Sequence, residues 1–357
     1  MLPLPPRHCV PTHPAARLTS PGAEGAFPSK AMRIDRQGTA EEVAAFVAER
    51  VPPDGCVVLI GGVDVGKTTL ARALNRRLGG EVLDADLGQS TIGSPTAITL
   101  GTYDGGMRDG YFVGDTTPRG HLVLALCGTL RMARRARRPL VVDTDGFIAG
   151  NVGRSYKLAL IEALDPDLVV LLPRGMELEL LRLSCAAETV CVRISGVRQK
   201  TREERISTRE ANFRAEFARC REVEVPWEEV RWRGTLLGLG EPVDPNTLSK
   251  MLGCEVLYAR RAGNEAIAVV DGRPLSAGAV KAFWGLEELY LIPKSYMEDR
   301  LIGCFRGGRF VGLGRVSRAM PGKLVLSVPQ GEVPEAIQPG CLRITASGRE
   351  LGRSLLP

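Results

Sequence analysis

The sequence predicts an α/β protein in which a parallel sheet has helices on both faces and a small β-rich domain follows it. Between residues 39 and 222, short and uniformly apolar runs alternate with stretches of helical periodicity. Such runs are typical of strands that are buried on both faces of a parallel sheet. After about residue 245 the pattern changes to short apolar runs separated by Gly and Pro, which favours a β-rich domain.

Length and composition agree with a globular protein of about two domains. The chain has 357 residues, and a domain has roughly 150. Hydrophobic residues at 44% and charged residues at 25% exclude a wholly disordered or collagen-like chain. No apolar run approaches the ~20 residues that a membrane span needs, so we expect a soluble protein without a membrane partner. The net charge of +6 is a mild bias toward polyanionic partners.

The cysteines and the N-terminal residues indicate the cellular setting. The nine cysteines form no Cys-x-x-Cys pair and there are only three histidines, so we expect no zinc site and a reducing, cytoplasmic compartment. Residues 1–31 are rich in proline and lack the apolar core of a secretion signal. We interpret them as a disordered extension, with Met32 as an alternative start. The remainder divides at residue 245, into 32–244 and 245–357.

The individual elements follow in chain order. A capping-box pattern at residues 39–42 begins a helix that extends to about residue 50. Further helices are predicted at 69–78, 122–138, 156–164 and 202–222. Strands of the parallel sheet are predicted at 56–60, 81–86, 140–143, 168–172 and 189–194. Strands of the β-rich domain are predicted at 255–259, 266–270, 289–292, 324–328 and 341–345.

The strongest motif is the run Gly-x-x-x-x-Gly-Lys-Thr at residues 61–68, between a predicted strand and a predicted helix. Its glycines let backbone N–H groups surround phosphate oxygens, and the helix N-terminus adds positive potential. Lys67 is expected to reach the β and γ phosphates of a nucleotide, and the Thr68 hydroxyl to bind magnesium. An Asn-Lys-x-Asp element, with which GTPases read guanine, is absent. The predicted nucleotide-binding residues are Gly61, Gly62, Val63, Asp64, Val65, Gly66, Lys67, Thr68 and Thr69.

Two carboxylates at strand ends are candidates for the catalytic base. Asp86 ends the predicted strand 81–86, and Asp143 ends the predicted strand 140–143. The carboxyl ends of parallel strands form the crevice in which such sheets bind ligands. A carboxylate there can accept a proton from an attacking hydroxyl or hold magnesium through water. An aspartate that only caps a loop is the alternative interpretation.

Further short segments add a family resemblance to these motifs. The phosphate loop is followed by Asp-Leu-Gly-Gln at 86–89, Gly-Asp-Thr-Thr-Pro-Arg-Gly at 114–120 and Thr-Asp-Gly-Phe at 144–147. In this order they resemble the polynucleotide 5'-hydroxyl kinases, the P-loop kinases of pre-mRNA cleavage, ribosomal-RNA processing and archaeal RNA repair. The resemblance is close over residues 54–222 and looser after them. It implies a P-loop kinase domain at 32–244, including a basic lid at 198–222, before the β-rich domain at 245–357.

The resemblance also implies roles for individual residues. Asp86 matches the acidic residue that activates the 5'-hydroxyl, and with Thr68 it is the expected metal ligand. The expected acceptor-binding residues are Gln89, Thr117, Pro118, Arg119 and Phe147. Many family members have a tryptophan where this chain has Phe147, which can stack on a base with a smaller area. A buried core aromatic is the alternative interpretation of Phe147.

The lid of the family carries two arginines five residues apart, and Lys200 and Arg205 fit this spacing as catalytic residues. Lysine lacks the planar fork with which arginine holds phosphate oxygens in pairs, a function that Arg202 or Arg198 could supply. A solvated helix with Glu–Arg pairs is the alternative interpretation. The basic cluster at residues 131–138 fits a nucleic-acid backbone contact and a solvated helix end equally well.

The resemblance implies an enzyme that uses ATP and magnesium to phosphorylate the 5'-hydroxyl end of a polynucleotide, with RNA as the expected acceptor. It also allows protein partners in RNA processing. Two alternatives stay open at this point. One is an ATP-binding adaptor without catalysis that organises an RNA-processing complex. The other is a P-loop kinase or ATPase with a small-molecule acceptor.

Overall fold

The computed structural model describes residues 32–357. The predicted disordered extension at residues 1–31 lies outside the described residues. Within the described part of the chain, no helix has the length and apolarity that a bilayer crossing requires.

The first part of the chain forms a mixed but mainly parallel sheet. Its strands are β1 (Arg36–Gly38), β2 (Cys56–Gly61), β3 (Glu81–Ala85), β4 (Ala97–Thr102), β5 (Gly106–Phe112), β6 (Leu140–Thr144), β7 (Leu168–Leu172) and β8 (Glu188–Ile194). Their order in the eight-stranded sheet is β1-β8-β7-β2-β6-β3-β4-β5. The strands from β1 to β3 in this order are parallel, and β4 and β5 add an antiparallel hairpin next to β3.

Helices cover both faces of this sheet. The helices of the described chain are α1 (Ala40–Ala48), α2 (Lys67–Leu78), α3 (Leu122–Ala133), α4 (Gly150–Leu164), α5 (Glu179–Ser184), α6 (Arg202–Phe217), α7 (Pro245–Leu252), α8 (Ala277–Trp284) and α9 (Lys294–Met297). Val57 and Leu59 of β2 pack into a cluster with α1 and α2, whereas Val58 and Ile60 pack on the opposite face with α3 and α4. Adjacent residues of β2 thus point to opposite helical layers, which explains the uniformly apolar run and confirms the predicted fold class.

The local signals are confirmed at the start of two elements. The Thr39 hydroxyl accepts the Glu42 N–H at 3.3 Å, and the Glu42 carboxylate accepts the Thr39 N–H at 2.8 Å, so α1 begins with the predicted capping box. Helix α2 begins at Lys67, directly after the phosphate loop. The phosphate loop therefore lies between β2 and α2, as the motif requires.

Two predicted helices extend too far. Helix α3 ends at Ala133, not at residue 138, because the Arg137 N–H donates to the Glu81 carboxylate at 2.7 Å and Pro139 follows. The charged helix predicted at 202–222 ends at Phe217. The chain from Cys220 onward forms a strand instead, because it pairs with a distant strand of the C-terminal region.

The C-terminal region consists of two further sheets. The remaining strands are β9 (Cys220–Pro226), β10 (Glu241–Pro242), β11 (Glu255–Ala262), β12 (Glu265–Asp271), β13 (Glu288–Pro293), β14 (Arg300–Arg306), β15 (Arg309–Met320), β16 (Lys323–Pro329), β17 (Ala336–Ile344) and β18 (Glu350–Arg353). One sheet has the order β10-β11-β12-β13, and the other has the order β18-β17-β14-β15-β16-β9. The expected β-rich character is confirmed, and the boundary at residue 245 stays a prediction.

The six-stranded sheet packs directly on the parallel sheet and on helix α6. Phe112 of β5 stacks on Phe310 of β15 with ring centroids 5.8 Å apart. A Cβ at Gly303 of β14 would lie 2.6 Å from the Phe112 ring, so the glycine permits this close approach. Phe213 and Phe217 of α6 are buried in the same cluster. Helix α6 and the end of the C-terminal sheet are thereby held above the carboxyl end of β3.

Candidate active site

The phosphate loop is shaped by close backbone contacts. A Cβ at Gly61 would lie 2.9 Å from the Leu172 carbonyl oxygen, and Gly66 has a φ of +94°, which favours glycine. Lys67 is buried, and its Nζ donates to the carbonyl oxygens of Gly61 at 3.0 Å and Gly62 at 2.6 Å. No side chain caps the first turn of α2, so its N–H groups can bind an anion.

The predicted nucleotide-binding residues take different positions in this loop. Residues that line one cavity of about 460 Å³, which we call the loop cavity, are Val63, Asp64, Gly66, Lys67, Thr68 and Thr69. Val65 instead packs against the core on the α1 and α2 face. Gly61 and Gly62 contribute the carbonyl groups that hold Lys67. The loop therefore surrounds the Lys67 ammonium and directs the remaining residues toward the cavity.

The residues beside Thr68 fit a magnesium ion. The Thr68 hydroxyl donates to Asp143 Oδ2 at 2.7 Å, while Asp143 Oδ1 is buried and has no hydrogen-bond partner among the described residues. Burial and the neighbouring Asp84 raise the pKa of Asp143 to about 7. A hydroxyl next to an unpartnered carboxylate oxygen supplies the oxygen ligands that magnesium prefers. The structure thus places Asp143, a candidate base, against the predicted metal ligand Thr68.

Asp84 organises the loop that follows β3. It pairs in register with Asp143 on β6 and accepts hydrogen bonds from the Thr91 N–H at 2.7 Å and the Ser90 hydroxyl at 3.2 Å. Burial raises its pKa to about 6. The sequence interpretation assigned no role to Asp84, although its position two residues before Asp86 in the predicted strand 81–86 was a usable signal.

Asp86 follows directly after β3 and is fixed by its own loop. Its Oδ1 accepts the N–H groups of Gly88 and Gln89, each at 3.0 Å. All hydrogen bonds of this side chain within the described chain involve Oδ1, so Oδ2 has no partner there. Burial raises the pKa of Asp86, Lys67 opposes this rise, and Asp145 adds to it. Asp86 is therefore a half-buried carboxylate with one oxygen available for a proton.

Two cavities meet at Asp86. The second cavity, of about 600 Å³, contains Phe147 and is called here the Phe147 cavity. The residues that line both cavities are Val63, Asp86, Gln89 and Arg205. Asp86 thus faces the phosphate loop on one side and the aromatic residue on the other. Two ligands, one in each cavity, would approach each other at this carboxylate.

The predicted acceptor residues gather in and around the Phe147 cavity. Gln89, Thr117, Pro118 and Phe147 line it, and the Arg119 guanidinium lies 5.0 Å from the centre of the Phe147 ring. Phe147 is only half-buried, so it is not a core aromatic. It can present a ring face to a base, and Arg119 adds a planar cation beside that ring.

A buried ion pair fixes the loop that carries Phe147. The Phe147 N–H donates to Asp145 Oδ1 at 2.7 Å, and the Lys157 Nζ donates to Asp145 Oδ2 at 2.9 Å. Lys157 is fully buried on α4, and burial lowers its pKa while Asp145 raises it. Sequence reasoning missed Lys157, because one lysine in an amphipathic helix gives no signal of a buried partner.

The lid is anchored to the phosphate loop through Asp64. The Arg205 guanidinium donates to Asp64 Oδ2 at 2.8 Å and to the Lys200 carbonyl oxygen at 2.9 Å. The Lys200 N–H donates to the same Asp64 oxygen at 3.1 Å, and its side chain is exposed in the lining of the loop cavity. The structure therefore brings both predicted lid residues beside the phosphate loop.

The two arginines that could supply the planar fork that Lys200 lacks line different cavities. Arg198 also lines the loop cavity but forms an ion pair with Glu204. Arg202 lines the Phe147 cavity and not the loop cavity. Of these two residues, only Arg198 is therefore placed beside the phosphate loop.

The C-terminal sheet also reaches the site, which the sequence did not indicate. Arg353 of β18 donates to Asp115 Oδ1 at 3.2 Å and to the Thr116 hydroxyl at 2.9 Å. The Cys341 thiol of β17 donates to Asp115 Oδ2 at 3.0 Å. These bonds fix the start of the loop that carries Thr117. The last strands of the chain are consequently part of the wall of the Phe147 cavity.

The fold and the site together define a P-loop phosphotransferase. A phosphate loop joins β2 to α2, the carboxylates of β3 and β6 lie beside it, and side chains of helix α6 line both cavities. A phosphate loop with magnesium ligands and a separate acceptor cavity is the arrangement that phosphoryl transfer between two bound molecules requires.

Comparisons with known proteins support the resemblance. The family model described as mRNA cleavage and polyadenylation factor CLP1 P-loop matches residues 61–219. A polyribonucleotide 5'-hydroxyl-kinase of Pyrococcus horikoshii is 27% identical over 93% of this chain and 96% of its own length. Another, of Thermococcus kodakarensis, is 27% identical over 83% of this chain and 90% of its own length. These matches confirm the resemblance to the polynucleotide 5'-hydroxyl kinase family that was inferred from the motifs.

The fold agrees with that of a solved structure. The chain superposes on Clp1p from the Clp1p–Pcf11p complex with a TM-score of 0.54. The match covers 85% of this chain and 77% of Clp1p, at 13% sequence identity. At this identity the likeness describes the fold, including the sheets that follow the P-loop region. Similarity to P-loop kinases also supports the use of ATP.

Proposed function

We propose that this protein transfers the γ-phosphoryl group of ATP to the 5'-hydroxyl end of a polynucleotide, with RNA as the preferred acceptor. The observation that carries the proposal is the meeting of two cavities at Asp86. One cavity contains the phosphate loop, and the other contains an aromatic platform and basic side chains. The names of the relatives, polyribonucleotide 5'-hydroxyl-kinases, support the same acceptor.

The nucleotide is held by the phosphate loop. The free N–H groups of the first turn of α2 and the Lys67 ammonium bind its phosphates. Thr68 and Asp143 would hold magnesium, with Asp86 as the further ligand expected from the sequence. When bound there, the ion neutralises charge on the β and γ phosphates. The Lys67 Nζ is held inside the loop by the Gly61 and Gly62 carbonyl groups. From this position the Lys67 ammonium supplies positive charge at the same phosphates.

Asp86 activates the acceptor. The 5'-oxygen attacks the γ-phosphorus while its proton passes to Asp86 Oδ2, and the bond from the γ-phosphorus to the β–γ bridging oxygen breaks to release ADP. Because the N–H groups of Gly88 and Gln89 hold Oδ1, the carboxylate stays oriented throughout this step. Its raised pKa makes it a stronger base than an exposed carboxylate.

The remaining predicted residues position the two substrates. Phe147 stacks on the terminal base, with Arg119 beside its ring. Gln89 lies between the cavities, where its amide also donates to the Arg205 carbonyl oxygen at 3.1 Å. Arg205 and Lys200 place positive charge beside the phosphate loop, where the transferred group carries its negative charge.

A direct transfer assay tests the proposal. The purified full-length protein is incubated with γ-labelled ATP, magnesium and one of three acceptors: 5'-hydroxyl RNA, 5'-hydroxyl DNA of the same sequence, or a nucleoside. We expect label at the 5' end of the RNA, less on DNA and little on the nucleoside. Lys67→Ala is the matched control for a contaminating kinase, since it removes the ammonium that contacts the phosphates and should nearly abolish labelling.

Each other result supports a different class of protein. ATP binding without labelling of any acceptor would favour the non-catalytic adaptor. Equal labelling of the nucleoside and the oligonucleotides would favour a small-molecule kinase. Binding of RNA-processing proteins stays a prediction, which co-purification of partners with this chain would test separately.

A further inference from the structure

The end of the chain supplies three side chains to the Phe147 cavity. Arg349, Glu350 and Arg353 line it together with Asp86 and Phe147. Arg349 closes the turn between β17 and β18, and the other two belong to β18. No motif in the sequence pointed to these residues. Their position beside the expected acceptor site calls for a chemical explanation.

The turn that precedes Arg349 is packed rigidly against helix α6. Gly348 has a φ of +89°, and a Cβ there would lie 2.3 Å from the Glu210 carbonyl oxygen. Within the turn, the Arg349 N–H donates to the Thr345 hydroxyl at 3.1 Å and the Gly348 N–H donates to the Thr345 carbonyl oxygen at 2.9 Å. Arg349 is therefore an exposed side chain on a fixed backbone, which suits a binding residue.

The other charges of this wall are already paired. Arg353 contacts Asp115, and Glu350 forms an ion pair with Arg209 at 2.6 Å. Arg349 and Arg202, by contrast, have no ion-pair partner anywhere in residues 32–357. Two unpaired guanidinium groups thus line one cavity beside the candidate base. A planar guanidinium group can donate two parallel hydrogen bonds to two oxygens of one phosphate.

We propose that Arg349, together with Arg202, binds the first phosphodiester groups of the acceptor, 3' to its terminal nucleoside. The C-terminal sheet then supplies the subsite that distinguishes a polynucleotide from a free nucleoside, which has no phosphodiester to bind. This inference rests on the proposed function and explains why the acceptor is a polynucleotide. It also gives the β-rich region a direct part in substrate binding.

Steady-state kinetics of Arg349→Ala test this subsite. We expect the KM for a 5'-hydroxyl RNA oligonucleotide to rise about tenfold, the loss of one charge-assisted phosphate contact. The values of kcat and of the KM for ATP should stay within about twofold, because Arg349 lines only the Phe147 cavity. The slope of log KM against log salt should fall by about 0.7, the value for one phosphate of a single strand. Transfer to a nucleoside should not change.

Control variants separate charge from structure. Arg349→Lys should retain part of the affinity and Arg349→Glu should weaken it further, whereas a merely structural residue would not order the variants by charge. Arg273→Ala, an exposed arginine after β12 that lines neither cavity, should behave as wild type.

Two results would overturn the subsite while leaving the kinase intact. One is an unchanged oligonucleotide KM and salt slope in Arg349→Ala, with a wild type that labels RNA. The other is a fall in kcat at constant KM, which would place Arg349 at the transferred group. A wild-type protein that labels no acceptor would instead refute the proposed function itself.

Discussion

Replacing Asp86 by asparagine removes the proposed base while it preserves the shape of the site. In the wild-type protein, the N–H groups of Gly88 and Gln89 lie 3.0 Å from Asp86 Oδ1. The amide oxygen of asparagine can accept the same two hydrogen bonds. The loop after β3 should therefore keep its conformation. What changes is the second oxygen, which becomes an NH₂ group that donates hydrogen bonds and accepts no proton.

The expected loss follows from this single change. Removal of a positioned general base costs on the order of 10²–10⁴ in rate, which is about 3–5 kcal/mol of transition-state stabilisation. ATP affinity should stay within a few-fold of wild type, since the α2 N–H groups and Lys67 contact the phosphates. The pH profile adds a second signature. Because burial raises the pKa of Asp86, wild-type activity should fall as pH drops through that raised pKa, and the asparagine variant should lack this dependence.

Calorimetry of nucleotide binding and end-labelling of 5'-hydroxyl RNA, on one preparation, measure both quantities. Asp143→Asn is the matched comparison, since Asp143 contacts Thr68 and should affect the magnesium requirement rather than the proton transfer. Transfer that survives in Asp86→Asn but disappears in Asp143→Asn at saturating magnesium would identify Asp143 as the base. A large loss of ATP affinity in Asp86→Asn would mean that this residue acts mainly as a metal ligand.

Three further outcomes are expected. Arg205→Ala should lower kcat for RNA more than it raises the KM for ATP. Asp64→Asn, which removes only the 2.8 Å ion pair with Arg205, should reproduce part of this loss. An unchanged kcat in Arg205→Ala would favour the alternative interpretation of this segment as a solvated helix. Without magnesium, Asp143→Asn should raise the Tm at pH 8 by about 2–4 °C. Because the pKa of Asp143 is raised from 3.8 to about 7, the wild-type carboxyl group loses stability as pH rises through this range, and the loss is complete above pH 7. Calorimetry at pH 4, where most of the gain should vanish, checks the sign. Gly348→Ala should lower the Tm more than Gly322→Ala does. Gly322 has a similar φ of +74°, but a Cβ there would have no atom within 4 Å. Equal Tm values for the two variants would contradict the packing of Gly348 against α6.

The sequence was informative where structure depends on neighbouring residues. The phosphate loop and the capping box at Thr39 are local patterns, and the apolar runs report burial on both faces of the sheet. Asp86 could be identified because it ends a recognisable strand, and Phe147 because its short motif contributes to the family resemblance. The structure then brings them to one cavity, as the topology of a parallel sheet requires.

The features that sequence reasoning missed depend on distant partners. The extended chain from Cys220 is set by pairing with β16, about a hundred residues away in sequence, and no helical signal could reveal this. The partner of Lys157 and the contact between Arg353 and Asp115 likewise join residues that carry no shared motif. Such contacts between distant residues determine the shape of the site, whereas the local motifs supply its reactive groups.

Helix α6 is joined to the C-terminal sheet along its whole second half. Its aromatic residues Phe213 and Phe217 are buried between the layers, and the carbonyl oxygen of Glu210 is in contact with Gly348. The helix cannot swing away alone without exposing these rings to water, at a cost of about 1.5–3 kcal/mol per ring. We therefore expect lid movement mainly in the segment 195–201 before the helix, or as a tilt of helix and sheet as one rigid body. Amide hydrogen exchange should accordingly be as slow in α6 as in β17, and faster in 195–201.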